Sequence, residues 1–222
     1  MAPVGASTWL KFQGRIWYNI TKGELMIILF GLAGSGKGTQ GKALSEIFGW
    51  RALSVGQTIR DTGEYNDITT AGGLVPDDEV IRLMEKQIEK TEAEGFDVIL
   101  DGYPRTKYQA EWLMDHYADK IDGAIILEVP KDELFERLKL RGRDDDNNRE
   151  SIEQRFSIFE QNIYSILPLF NAKNVPVERV NGVGSVGEVT DRLVDIIKMF
   201  NPNATEQFED VNGGEIEKSY GE

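Results

Sequence analysis

Strand-like apolar runs alternate with helical stretches between residues 25 and 200. The first run, residues 25–30 (LMIILF), is continuously apolar with two isoleucines in its middle. That is the pattern of a strand buried on both faces of a parallel sheet, where neither side can be polar. Arg51–Ser54, residues 97–100 (DVIL), 123–129 (GAIILEV) and 175–180 follow as further strands. Strands separated in this way by helical segments predict an α/β fold, a parallel sheet covered by helices on both faces. Pro76 breaks the chain just before a helical pattern running from Asp77 to about Glu94. Asp77 and Asp78 in its first turn complement the positive end of the helix macrodipole. No stretch is long and apolar enough to span a bilayer, and no internal repeat is visible.

Composition limits the partners. With 222 residues, 40% of them hydrophobic, the chain can bury one sizeable core with small inserted lobes. A formal charge of −13 opposes nonspecific attraction to nucleic acid or to an anionic membrane, so neither is expected as a partner. Anionic substrates must therefore meet a local basic patch. The absence of cysteine excludes disulfides, thiol catalysis and cysteine-ligated zinc. His116, the single histidine, lies in the polar sequence Asp115-His116-Tyr117, a setting for a solvated surface role.

The two ends differ from the middle. Residues 1–24 carry three basic residues, one acid and interspersed aromatics such as Trp9, Trp17 and Tyr18. One arginine and few serines make a poor transit peptide, so the segment reads as a flexible N-terminal extension, with Met26 a candidate native start. Residues 201–222 hold six acids and one lysine among several Asn and Gly, and read as a disordered, solvated tail. A monomeric, cytoplasmic protein is the expectation.

The chemistry is concentrated in Gly31-Leu32-Ala33-Gly34-Ser35-Gly36-Lys37-Gly38-Thr39, which follows the first apolar run and opens a helical pattern. Glycines without Cβ atoms let successive backbone N–H groups turn inward on an anion, and Lys37 adds a full charge near the terminal phosphates. The positive end of the next helix points at the same place. In such sheets ligands bind beyond the carboxyl ends of the strands. Asp101-Gly102-Tyr103-Pro104-Arg105 occupies that position after DVIL, with Asp101 able to orient magnesium and Arg105 able to reach an acceptor phosphate.

These motifs resemble those of adenylate kinases and other nucleoside monophosphate kinases. Thr39 stands second after Lys37, with Gly38 between them and Gln40 next, which is the family's spacing. DGYPRT followed by Gln109 is similar to the family's monophosphate-binding segment, where the arginine holds the acceptor phosphate and the glutamine hydrogen-bonds adenine. Ser54-Val55-Gly56-Gln57-Thr58-Ile59-Arg60 is similar to the STGDxLR element, and Ala71-Gly72-Gly73-Leu74-Val75-Pro76-Asp77 to the stretch lining the same site. The matches span roughly residues 25 to 200. The resemblance implies a three-layer P-loop NTPase-type fold with a parallel five-stranded sheet. It also implies a small monophosphate-binding lobe at about 54–83 and a short lid at about 141–150.

Arg137 and Arg141 lie i, i+4 on the helix after Pro130 and emerge on one face. Arg143-Asp144-Asp145-Asp146 and Ile152-Glu153-Gln154-Arg155 match the family's RxDD and following arginine, with one additional residue near Asn147 or Asn148. The lid is too short for the zinc module of some relatives. Val180-Asn181-Gly182-Val183-Gly184 stands where the family has a loop touching the donor adenine, and equally reads as a plain strand-to-helix turn.

The resemblance implies Mg-dependent, reversible transfer of the terminal phosphoryl group of ATP to AMP, giving two ADP. Lys37, Arg105, Arg141 and Arg155 would be catalytic. Gly34, Ser35, Gly36, Lys37, Gly38, Thr39, Arg137, Arg141 and Gly184 would bind ATP. Val55, Arg60, Gly73, Leu74, Val75, Gly102, Arg105, Gln109, Arg143 and Arg155 would bind AMP, with Asp101 holding magnesium through water. Val55 replaces the family threonine and removes a hydroxyl near the acceptor base, which leaves a UMP/CMP kinase as the alternative that Gln109 opposes. Gln57 replaces an aspartate that helps orient hydrated magnesium, and the segment between Arg60 and Gly72 is short. A non-catalytic nucleotide-binding scaffold is the reading from another class, disfavoured by intact Lys37, Asp101 and Arg105. A GTPase would need an NKxD element, which is absent.

Overall fold

The structure, a computed structural model, describes residues 11–12, 15–16, 25–143, 146 and 148–204. Its organising element is β3 (Met26–Gly31), every residue of which is buried. Because side chains alternate across a strand, Met26, Ile28 and Phe30 enter one apolar cluster while Ile27 and Leu29 enter another on the opposite face. The sequence shows no polar position in this run because neither face meets water.

Around β3 the sheet has the order β4-β5-β3-β6-β7, with every neighbouring pair parallel. The strands are β4 (Arg51–Ser54), β5 (Val98–Asp101), β6 (Ile121–Glu128) and β7 (Val177–Asn181). One face is covered by α4 (Asp77–Ala93), α5 (Lys107–Tyr117) and α7 (Arg149–Ala172), through Met84, Ile88, Leu113, Ile166 and Phe170. The other is covered by α1 (Lys37–Phe48) and α8 (Val186–Phe200), through Leu44, Phe48, Leu193 and Ile197. Three shorter helices border the cleft: α2 (Val55–Thr62), α3 (Asn66–Thr70) and α6 (Lys131–Arg141). The expected three-layer α/β architecture with five parallel strands is present.

Pairing moves the strand ends from where apolarity places them. The run expected at 123–129 begins at Ile121, because Ile121 pairs with Met26, and the run expected at 175–180 becomes Val177–Asn181. Pro176 has no N–H to donate, although its carbonyl accepts from Ala124 N at 2.9 Å. Two residues at the start of the expected solvated tail pack instead. Asn201 Nδ2 donates to Asp122 Oδ1 at 3.1 Å, and Ala204, 5% exposed, joins the α1/α8 cluster. Residues 205–222 lie outside the described residues. So does the N-terminal extension, apart from the backbone of β1 (Lys11–Phe12) and β2 (Arg15–Ile16), which pair antiparallel.

Gly123 lets α8 close on the sheet, since a Cβ there would run into the Phe200 ring, with the ring's Cγ only 2.7 Å away. Gly123→Ala is expected to destabilise the fold by about 1–3 kcal/mol, the usual penalty for overpacking. A lowered urea midpoint at unchanged slope would register it.

Candidate active site

β3 ends in a loop whose backbone only glycine adopts easily. Gly34 and Gly36 have φ of 85° and 97°, and Ser35 N donates to Leu32 O at 3.1 Å to close the turn. Gly36 is also the N-cap of α1, which has no side-chain cap and no acidic residue in its first turn. By contrast, α8 begins with a capping box of Ser185 and Glu188, and α5 with Thr106 accepting from Gln109 N. The first N–H groups of α1 are therefore left for an external anion.

Lys37 folds back over this loop. Its Nζ donates to Gly31 O at 2.7 Å and Leu32 O at 2.9 Å, with Ser35 Oγ at 3.4 Å. Burial of the ammonium pulls its pKa from 10.5 to about 8; Asp101 opposes this, while Arg105, Arg141 and Arg155 add to it. Asp101, at the end of β5 beside β3, is 8% exposed, and its Oδ2 lies 3.5 Å from where a Gly38 Cβ would stand.

Beside the turn that follows β5, two guanidiniums converge over a glycine. A Cβ on Gly56 would lie 3.3 Å from both Arg105 Nη2 and Arg60 Nη1. Arg105 is aimed by its Nε donating to Gly102 O at 3.0 Å. Gln57 Oε1 accepts from Arg60 Nη2 at 2.9 Å while Gln57 Nε2 donates to Asp61 Oδ1 at 2.6 Å. The residue standing in place of the family aspartate thus braces Arg60. Gln109, 1% exposed, is engaged internally: its Oε1 accepts from Arg105 N at 2.8 Å and its Nε2 donates to Asp77 Oδ1 at 2.7 Å. Thr106 Oγ1 donates to the same Asp77 oxygen at 2.9 Å.

The third group of cations comes from α6 and α7. Asp146, with a side chain 1% exposed, receives a bidentate pair from Arg141, Nε to Oδ2 and Nη2 to Oδ1, both at 2.7 Å. Arg155 Nη2 adds a third bond to Oδ1 at 2.9 Å. Burial alone would raise the Asp146 pKa, but the hydrogen bonds and charges of Arg141 and Arg155 outweigh it and hold the carboxyl below its usual range. Arg137 pairs with Glu133 and donates to Gly182 O at 3.1 Å. Arg192 Nη1 donates to Asn181 O and Val183 O, each at 2.8 Å, so the turn after β7 is shaped by two arginines.

These elements line one cleft of about 1030 Å³ over the carboxyl ends of the strands. Six arginines and two lysines border it against Asp101 and Glu133, a cationic hollow in a chain of charge −13. The family model described as adenylate kinase matches residues 29–175, from within β3 to just before β7. The chain belongs to the adenylate kinase family. It is 35% identical over 192 residues to the adenylate kinase of Porphyromonas gingivalis, covering 79% of this chain and 97% of that one. It is 33% identical over 182 residues to the adenylate kinase of Thermus thermophilus, covering 75% and 94%. It is 36% identical over 188 residues to that of Mycolicibacterium smegmatis, covering 78% and 99%. Adenylate kinases are phosphotransferases, and the sheet and loop described above suit that class.

Of the residues expected at an adenylate kinase site, most border the cleft. The loop from Gly34 to Thr39, Arg60, Gly73, Leu74, Asp101, Gly102 and Arg105 do so, as do Arg137, Arg141, Arg143, Arg155 and Gly184. Val55, Val75 and Gln109 do not; they are 0%, 3% and 1% exposed and pack behind the lining. Val55 Cγ1 lies 3.7 Å from where a Gly102 Cβ would stand, so the valine packs against the turn that follows β5. Asp144 and Asp145 of the RxDD match fall outside the described residues. Asp146 was not among the expected site residues, although the acidic run after Arg143 signalled it. Arg192 carried no sequence signal, since an arginine on an amphipathic helix reads as surface. His116 stacks on Trp112 with ring centroids 4.6 Å apart, away from the cleft lining.

The sign of the Lys37 shift has a thermodynamic consequence. The lysine is charged in the unfolded chain up to pH 10.5 but holds its proton in the folded protein only to about pH 8. Folding is penalised at neutral pH, and the penalty is relieved as pH rises from 8 toward 10.5. Lys37→Met is therefore expected to melt a few degrees higher than the native protein at pH 7 without nucleotide, and to lose that advantage near pH 10.5. Calorimetry across this range checks it.

Proposed function

We propose that the protein transfers the terminal phosphoryl group of ATP reversibly to AMP, giving two ADP, with the cleft holding the two nucleotides end to end. The observation that carries this reading is two cationic pairs on the same cleft as Lys37, Arg60 with Arg105 over Gly56 and Arg141 with Arg155 on Asp146. A cleft of about 1030 Å³ is at the upper end for small-molecule sites and suits two nucleotides.

Phosphoryl transfer asks chiefly for alignment and for neutralisation of charge on the transferring oxygens. Backbone N–H groups from Gly34 to Thr39 would hold the donor phosphates, with Arg137 and the turn at Gly184 beside the rest of the donor. Arg60 and Arg105 would fix the acceptor phosphate. Arg141 and Arg155 would close over the transferring group, exclude water and suppress hydrolysis. A phosphate nucleophile needs no general base, in keeping with a cleft rich in cations.

Magnesium fits this donor set. No cluster of three or more His, Cys, Asp or Glu able to cage a metal occurs among the described residues. Among the described residues the cleft is bordered by two carboxylates, and with Glu133 paired to Arg137, Asp101 at the loop is the one suited to Mg²⁺ carried in with nucleotide phosphates and waters. When bound, the ion neutralises phosphate charge, and Asp101 would hold it through water. The proposed lobes are an acceptor lobe at about 54–83 and a short lid at about 141–150 on a core of residues 25–200. One chain supplies every group named, so a monomer suffices.

UMP or CMP remains a second acceptor reading, favoured by one observation: the Gln109 amide is engaged with Asp77 and Arg105 rather than turned to the cleft. A panel of AMP, UMP and CMP with ATP and magnesium is expected to give turnover with AMP well above the pyrimidines; equal or greater turnover with UMP or CMP would reassign the acceptor. Lys37→Ala or Arg105→Ala is expected to lower turnover by about 10²–10³-fold, the scale for removing one positioned donor, with the far-UV circular dichroism unchanged. Near-native activity in either variant would reject the assignment.

A further inference from the structure

The acceptor side of the cleft touches the lid-side helix at one buried serine. Ser151, 3% exposed, lies in the first turn of α7, and its Oγ donates to Thr70 O at 2.9 Å across 81 residues of sequence. Gly72, two residues on, fits against the same turn. Gly72 has φ of +81°, and a Cβ on it would stand 2.6 Å from Ser151 O and 3.0 Å from Ser151 Oγ, so the backbone reaches the helix only because the side chain is missing. The loop itself is firm, since Gly72 N donates to Thr69 O at 3.0 Å and Gly73 N to Ile68 O at 2.9 Å. Thr69, Gly72 and Gly73 border the cleft.

Ser151 precedes Arg155 by one helical turn, so both project from one face of α7. Arg155 in turn shares Asp146 with Arg141. The loop at Thr70–Gly72 is thus joined to Ser151, which shares a face of α7 with Arg155, and Arg155 is joined through Asp146 to Arg141.

We propose that Ser151 is a positioning residue that couples the two nucleotide sites: an acceptor loop seated on Ser151 favours the arrangement in which Arg141 and Arg155 close over the donor. The inference rests on the adenylate kinase reading above. Coupling between two binding equilibria is reciprocal, so each nucleotide must tighten the binding of the other by the same factor. Ser151 does not border the cleft, so its loss is expected to act on that factor and not on the separate affinities.

The test is calorimetric titration of AMP into the native protein and into Ser151→Ala, each with and without saturating β,γ-methylene-ATP. Alanine suits the helix, so the variant keeps its fold. The native protein is expected to bind AMP more tightly with the analogue present. The variant is expected to lose about 2- to 10-fold of that enhancement, the worth of one hydrogen bond, while binding each nucleotide alone as the native protein does. An enhancement kept in full by Ser151→Ala overturns the proposal, as does a native protein with no enhancement. Equal weakening of both separate affinities with the enhancement retained also overturns it, because that is the mark of a merely structural serine. A native protein that binds neither AMP nor the analogue instead removes the adenylate kinase reading itself.

Discussion

Cationic side chains repel one another, and the cleft holds Lys37, Arg105, Arg141 and Arg155 close enough that, after burial, the three arginines further depress the lysine's proton affinity. Such an assembly stays together only if each cation is held by something fixed. Lys37 is held by the carbonyls of Gly31 and Leu32, Arg105 by the carbonyl of Gly102, and Arg141 and Arg155 by Asp146. Most of these anchors are backbone oxygens or a carboxylate already shared between two arginines. They restrain direction while leaving much of the positive charge unneutralised for a substrate, which is what preorganised electrostatic catalysis requires.

The sheet makes this arrangement cheap to specify. With β3 between β5 and β6, the glycine loop and the DGYPR turn emerge from neighbouring strand ends, held in register by Leu29 opposite Asp101. The two apolar faces fix that register, because a one-residue slip would turn Ile27 and Leu29 into the wrong cluster. Packing in the core thereby sets distances in the cleft. The acidic surface then adds solubility without disturbing a hollow whose potential is set locally.

What could be read from the chain divides by range of interaction. The five strands were legible because a parallel sheet covered on both faces demands unbroken apolar runs, and their ends shifted because ladder partners such as Ile121 with Met26 are not visible locally. The glycine loop was legible because nine consecutive residues specify its backbone turn and the start of α1. Gln109 and Val55 were legible as members of motifs but not as buried supports, since their surroundings come from Asp77, thirty-two residues from Gln109, and from the turn that follows β5. Asp146 shows the middle case: the acidic run was evident, while the choice of one carboxylate to bind two arginines belongs to the fold of α6 onto α7.

The bare start of α1 has a reach beyond the cleft. A helix whose leading amides receive no side-chain cap is open to completion by an incoming phosphate, so nucleotide bound there would act as the absent cap as well as the reactant. Endurance against heat and proteases would then not be a constant of this polypeptide; it would rise and fall with the supply of the compounds it processes.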